Sequence, residues 1–377
     1  MDTVDTKAAL RVAYTVEQSW HRVPGGTAVA ALRVAREFLS NPEFADEVDL
    51  RLVAGKHPAA PSDLYVPPAP VAMLPLGRRM LYAGWTRLNW PRVESVTGHV
   101  DVVHATGLIP AGTAAPLVVT VHDLAFLHTP EKFSRRGAML MKRSIETTRR
   151  RARLVICSSR STFDDCVAHG FDPGRLRLVP LGVDATPATA DEIDTARANH
   201  GLPDEFVLFV GTLEPRKNLS RLVEAMSAAR SDGLDLPLIV VGADGWGDVR
   251  SGVDDPRVRF LGSVSDTDLR GIFAAASVMA YPSEHEGFGL PVIEAMAQGT
   301  AVVTSRGTST EEVAGGAAVL VDPFDVGDIA RGLAEALRRR DELAGPGRAR
   351  ASELTWEQAA RTTLAVYREA AYSETDS

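Results

Sequence analysis

The feature that most constrains this chain is an alternation, run through twice, of short apolar segments with stretches of helical period. In the first half the apolar segments are 10–14, 48–53, 102–105, 117–121, 154–158 and 176–179. In the second they are 207–210, 238–241, 258–261, 278–281, 301–304 and 318–321. Most are continuous and rich in β-branched residues, the pattern of strands covered by helices on both faces. Between them, Leu219, Leu222, Val223 and Met226 share one helical face. So do Leu269, Ile272, Phe273 and Ala276, and again Ile329, Leu333, Ala334 and Leu337. This alternation predicts two doubly wound parallel sheets, and 377 residues suffice for two such domains. The stretch 181–203, with Gly182, Pro187 and a polar, Ala-rich run, reads as their connection. Open parallel sheets bind ligands beyond the carboxyl ends of their strands, so two facing domains should enclose a cleft.

Composition narrows the partners. With 41 Lys and Arg against 49 Asp and Glu, the net charge is −8, which argues against a general nucleic-acid binder. Cys157 and Cys166 alone cannot form a disulfide framework or a four-ligand zinc site. No apolar run approaches the roughly 18 residues of a membrane span. The start, MDTVDTKAALRVAY, has neither the basic nor the apolar region of a signal peptide. The expectation is a cytoplasmic chain with a frayed polar tail at 373–377.

Two post-strand segments carry chemistry. In VGTLEPRKNL, 210–219, Gly211 follows a strand and Arg216 and Lys217 precede a helix, with Asn218 placed as N-cap. Two cations beside first-turn N–H groups make an anion site, although a lone Arg-Lys pair is usually solvated. It is not a P-loop. In YPSEHEGFGLPVIEAMAQG, 281–299, Glu286 lies in a loop and Glu294 eight positions on, in the helix begun near Pro291. Gly287 and Gly289 let backbone approach a ligand, and the amides there, with that of Leu290, sit at a helix start. A carboxylate that accepts from sugar hydroxyls could thus stand beside amides that hold a phosphate. Each glutamate alone reads better as an incidental charge favouring the helix dipole; both together with this loop favour a site.

The Glu286-to-Glu294 spacing within EHEGFGLPVIEA resembles the E-x7-E signature of the retaining glycosyltransferase family 4. VGTLEPRKNL looks like that family's diphosphate loop, VVTVHDLAFLHTPE like its strand followed by His-Asp, and CSSRSTFDDCVAHGFDPGRLRLVPLGVD like its lead-in to the linker. The mannosyltransferase-like branch is the most similar. The resemblance implies an α/β, GT-B fold: two Rossmann-like doubly wound parallel-sheet domains facing across a cleft. Residues 1–182 would form the acceptor-side domain and 183–355 the donor domain. The segment 356–377 would be a helix returning to the first domain after a Gly/Pro break at 345–347.

Roles follow from the same resemblance. Arg216 and Lys217 neutralise the donor diphosphate, with Gly211, Gly25 and Gly26 bringing backbone close to it. Glu294 holds the ribose. Glu286 holds the donor sugar beside the amides of Gly287, Phe288, Gly289 and Leu290. His122 meets that sugar from the first domain, and Asp123 orients His122 or caps a turn. His104, Asp123 and Phe126, with His128, are candidates for the acceptor side. The implied reaction retains anomeric configuration and needs no metal or cofactor. Asp164-Asp165 and Asp254-Asp255 read as solvated charges, not a D-x-D metal motif. The co-substrate is a nucleotide-diphosphate sugar, GDP-mannose favoured, and the acceptor a glycan, lipid-linked or small molecule.

The stretch 70–90, PVAMLPLGRRMLYAGWTRLNW, and the cluster Arg149, Arg150, Arg151 and Arg153 leave open a peripheral contact at the inner membrane face, though each reads more simply as an ordinary helix. Two other functional classes stand beside the transferase. A two-domain oxidoreductase would need G-x-G-x-x-G after the first strand, where only Gly25-Gly26 occurs. A non-catalytic nucleotide-sugar sensor, or a sugar-nucleotide epimerase, could share the fold; transfer to an added acceptor separates them.

Overall fold

A computed structural model describes residues 8–130, 134–231, 233–245, 249–250 and 252–372. The tail 373–377 and the first seven residues of the start lie outside them. Among the described residues, thirteen strands form two all-parallel sheets. The first sheet contains β1 (Leu10–Thr15), β2 (Val48–Ala54), β3 (Val71–Met73), β4 (Val102–Ala105), β5 (Leu117–Val121), β6 (Leu154–Cys157) and β7 (Leu176–Leu178). Its order is β3-β2-β1-β4-β5-β6-β7. The second contains β8 (Val207–Val210), β9 (Leu238–Val241), β10 (Val258–Gly262), β11 (Val278–Tyr281), β12 (Val302–Ser305) and β13 (Val319–Val321), in the order β10-β9-β8-β11-β12-β13. The strand order reverses between β1 and β4 and again between β8 and β11. A crevice opens at such points, and the ends of these four strands carry the candidate site.

Central strands are buried on both faces, with every residue of β4, β5, β6, β8, β9 and β11 buried, as continuous apolar runs require. Strand β3 is new relative to the sequence reading, which placed 70–90 in a helix. It is a three-residue, partly exposed edge strand, and the helix is confined to Arg78–Leu88. The connection 181–203 also holds more structure than its composition shows. Helix Ala190–His200 starts from a Thr189/Glu192 capping box. The expected break at 345–347 is absent, since helix Arg340–Glu353 runs through Pro346 with Leu343, Gly347 and Ala351 buried. Packing on that face outweighs the missing N–H of proline.

Helix Trp356–Tyr372 lies against the first domain. Tyr367 is fully buried and its ring sits 5.8 Å from Phe38. Arg361 pairs with Glu43, Arg368 with Glu47, and Arg177 with Glu369. The two passages of chain between the domains touch. Val183 and Thr355 form a parallel bridge, and a Cβ on Gly182 would lie 2.2 Å from the Trp356 nitrogen, so only glycine fits.

Candidate active site

A cleft of about 620 Å³ lies between the two domains. Gly25, Gly26, His122 and Asp123 line it from the first domain. From the second come Gly211, Arg216, Lys217, Glu286, Gly287, Phe288, Gly289, Leu290 and Glu294. Residues more than 250 positions apart in sequence are thus brought to one cavity.

The centre of the second-domain wall is an ion network. Residues 211–218 leave β8 through a short 3-10 turn, Pro215–Lys217, and residues 282–289 leave β11 beside it. Glu286 lies 3.1 Å from Arg216 and 2.7 Å from Lys217, and accepts from the Tyr281 hydroxyl at 3.1 Å. Arg216 also donates to Glu214 at 2.8 Å and to the His285 carbonyl at 2.9 Å. Glu214, Lys217 and Glu286 are buried and Arg216 is partly buried, at 14% exposed, so each needs its partners. Burial pushes the Glu286 carboxyl up, but the Arg216 and Lys217 charges prevail and hold it down at about 2. Burial lowers Lys217 against the pull of Glu286. Burial raises Glu214 despite its cations. Two positive and two negative charges balance here.

Asn218 does not cap its helix through the side chain. Its Nδ2 donates to the carbonyls of Pro282, at 2.9 Å, and Pro323, at 2.7 Å, stitching the loops together. Glu294 is not a first-turn charge either: helix Leu290–Ala297 has no acid in its first turn, and Glu294 stands fifth. It has no hydrogen-bond or ion-pair partner among the described residues. Burial first, then the nearby Asp266 charge, raise its carboxyl to about 7, against a lowering by Arg33.

The opposite wall is built on β1 and β5. Gly25 and Gly26 open helix Gly25–Ser40, and their Cα hydrogens face Thr212 and Leu290 across the cleft. The loop before them is a 3-10 helix, Glu17–Trp20, whose polar residues are buried. Glu17 accepts from the Gly55 amide at 2.7 Å and lies 3.1 Å from His57. His122 follows β5, places Nε2 3.2 Å from the Thr106 carbonyl, and is held neutral by burial. Asp123 accepts from the Ala125 amide at 3.1 Å, two positions on, in an Asx-type turn, while the helical turn that follows has Leu124 at its N-cap and no side-chain cap.

His104 and Phe126 do not line the cleft. His104 is 4% exposed and bridges Tyr367, at 2.6 Å, and Thr120, at 2.7 Å, while Phe126 is part of the core on one face of the first sheet. Burial, then His122, lower His104 to about 3, so it is a neutral structural residue. Glu214, Tyr281 and Arg33 belong to the site and were missed. Glu214 lies two positions before Arg216 in the same motif and could have been found there.

The domains are closed on each other. Gly287 packs on His122 so tightly that a Cβ would fall 2.0 Å from the His122 carbonyl oxygen. Ser158 and Thr162 both donate to the carbonyls of His122 and Gly287. Arg33 meets Asp266 at 3.1 Å, and Glu312 accepts from the amides of Arg160 and Ser161 at the start of helix Arg160–Ala168. Among the described residues, the cleft carboxylates form no three-ligand metal group; the one such group, His128, Asp165 and His285, lies beside it.

Comparison with known proteins places this architecture. Residues 24–186 match the family model "Glycosyltransferase Family 4" and residues 204–339 the model "Glycosyl transferases group 1". The O-antigen chain mannosyltransferase B of Escherichia coli is 31% identical over 265 residues, spanning 67% of this chain and 70% of that protein. The chain belongs to glycosyltransferase family 4. The MMP alpha-(1->4)-mannosyltransferase of Mycolicibacterium hassiacum is 31% identical to this transferase over 302 residues, 72% of this chain and 71% of that one. HepE of Anabaena, solved in complex with UDP and glucose, superposes with a TM-score of 0.72 at 20% identity, covering 94% and 98% of the two chains. The transferase therefore has the GT-B fold. No helix among its described residues is long and apolar enough to cross a membrane.

Proposed function

We propose that the enzyme moves a mannosyl unit from GDP-mannose to a hydroxyl of a glycan, glycolipid or small molecule, with retention and without a catalytic metal. The observation that carries this reading is the cleft at the second switch point, where Arg216 and Lys217 stand beside Glu286, with Glu294 on the same wall. Names of relatives supply the sugar: mannosyltransferases recur among them. The neighbour solved with UDP and glucose makes UDP-glucose the donor to test against it.

In this reading the donor diphosphate takes over the two cations from Glu286, whose freed carboxylate accepts from sugar hydroxyls. Amides of Gly287, Phe288 and Gly289 and the start of helix Leu290–Ala297 add donors for the phosphates. Glu294 accepts from the ribose hydroxyls. The anomeric carbon–phosphate oxygen bond breaks as the acceptor oxygen attacks on the same face, and the acceptor proton passes to the departing phosphate. Arg216 and Lys217 stabilise the charge that develops there. His122, neutral, meets the sugar from the opposite wall. A panel of nucleotide sugars, read by melting temperature and then by NMR of the transfer product, tests this. Stabilisation by UDP-sugars alone, or an inverted anomeric product, overturns the corresponding part.

The same proposal includes a peripheral membrane contact. Helices Arg78–Leu88 and Arg135–Arg151 expose Met80, Leu88 and Met139 beside Arg79, Arg87, Arg136 and Lys142. Co-flotation with anionic but not neutral vesicles is the expected result, and equal flotation with neither removes the contact.

A further inference from the structure

Three side chains meet at the seam between the domains, outside the cleft lining. His128 ends the helical turn Ala125–His128 after β5, and Asp165 lies on helix Arg160–Ala168, both in the first domain. His285 belongs to the second, in the loop after β11, directly before Glu286. Ligand atoms of the three all fall within 4.8 Å of one another. His128 Nε2 lies 2.7 and 2.8 Å from the two Asp165 oxygens, and its ring centre lies 4.8 Å from that of His285, the planes tilted by 33°. His169, one helical turn past Asp165, donates to the Asp165 carbonyl at 2.8 Å and sets its ring edge-on to His128 at 5.7 Å.

Two imidazoles and one carboxylate are a ligand set for zinc, with a fourth position for water or a further imidazole. Bonds of about 2.0–2.2 Å in a tetrahedron place ligand atoms about 3.3–3.5 Å apart, so the group must contract by roughly 1–1.5 Å. The His128 side chain is 42% exposed, so its rotation meets little resistance. The ion replaces the Nε2 proton that His128 presents to Asp165. Around the ligands, Arg216 grips the His285 carbonyl at 2.9 Å and His169 holds the Asp165 backbone. Such supporting contacts orient metal ligands.

We propose that His128, Asp165 and His285 form a zinc site that clips the two domains together. The ion takes no part in sugar transfer. Its ligands come from both sides of the seam, so it binds only when the cleft is closed. By linkage it must favour that state, and any ligand that closes the cleft must tighten zinc binding by the same factor. The clip also touches the donor loop directly, because His285 is joined to Glu286 and held by Arg216.

The test uses untagged full-length protein stripped with a chelator and titrated calorimetrically with Zn²⁺ alone. One equivalent should bind, and His128→Gln and His285→Gln should each weaken binding at least tenfold. Co²⁺ should give visible d–d absorption that both variants lose. Melting temperatures of the metal-free variants within a degree or two of the parent would show that each is folded. Absence of saturable binding overturns the proposal. So does binding that survives His285→Gln, since a site confined to the first domain, or one at the cysteines, cannot clip the seam.

Discussion

Glu294→Gln tests whether this carboxylate receives the ribose, and it can be read in protons. With its carboxyl raised to about 7 by burial and Asp266, Glu294 is mostly neutral in mildly acidic solution. The fraction protonated is about nine-tenths at pH 6 and about one-tenth at pH 8. Ribose hydroxyls donate to the ionised form and favour it, so nucleotide binding must expel the proton. Binding should release close to one proton at pH 6 and about a tenth at pH 8. Apparent affinity should fall about tenfold, or ~1.4 kcal/mol, between pH 8 and pH 6. Calorimetry of intact GDP-mannose in buffers of different ionisation enthalpy counts those protons, since its doubly esterified diphosphate does not titrate there. The Gln variant should lose the pH-dependent release and about 1–3 kcal/mol of affinity. Stability moves the other way. A carboxyl raised in the folded state contributes stability that is complete below its unfolded value, near 4.5, and lost as pH rises through about 7. Glutamine abolishes the burial penalty, so at pH 8 the variant should be more stable, by up to about 3 kcal/mol. A glutamate that merely favoured the helix dipole would show the opposite sign. Identical proton release from the two proteins refutes the ribose assignment.

Arg216→Ala with Lys217→Ala should weaken GDP binding by about 3–6 kcal/mol through lost charge-assisted contacts, and calorimetry measures it. Folding also suffers, because the double change leaves Glu286 buried without a counter-charge; it should cost about 3–5 kcal/mol in denaturant titrations, and either single change less, since one cation stays beside Glu286. Glu286→Gln should reduce transfer severalfold or more while GDP binds as well as before or better, since both cations are released. Weakened GDP binding would contradict it. Glu286, held at about 2, contributes stability above its unfolded value near 4.5 that is lost as pH falls towards 2. Acid titration of the Gln variant should lack that component. Gly287→Ala must push the domains apart by the 2.0 Å contact with His122, and should lower kcat at least tenfold with the second domain still folded by circular dichroism.

The strands were legible because each buried strand is a continuous apolar run, and such runs survive without tertiary information. Strand β3 was not, since Val71–Met73 is short, partly exposed and sits between Pro70 and Pro75. Within the site, the residue types around Arg216 and Glu286 were legible, but their mutual ion pairs were not. The two lie 70 positions apart, and only the adjacency of β8 and β11 joins them. His104 misled for a related reason. A histidine at a strand end looks like a site residue, and nothing local reveals that Tyr367, 263 positions on, satisfies its ring. Asp165 read as a solvated charge because His128 and His285 reach it from distant loops.

The bridge between Val183 and Thr355 makes the second domain a cassette. Entry and exit lie side by side, so everything from Asp184 to Leu354 hangs from one doorway, while Trp356–Tyr372 stays behind with the first sheet. Shuffling second domains between relatives then needs only two splice points, and both must be moved together. A graft that ran on past Arg368 would carry off Arg361, Tyr367 and Arg368 and strand Glu43, His104 and Glu47 without their partners. Recombinants cut at this doorway should fold; those cut a helix later should not.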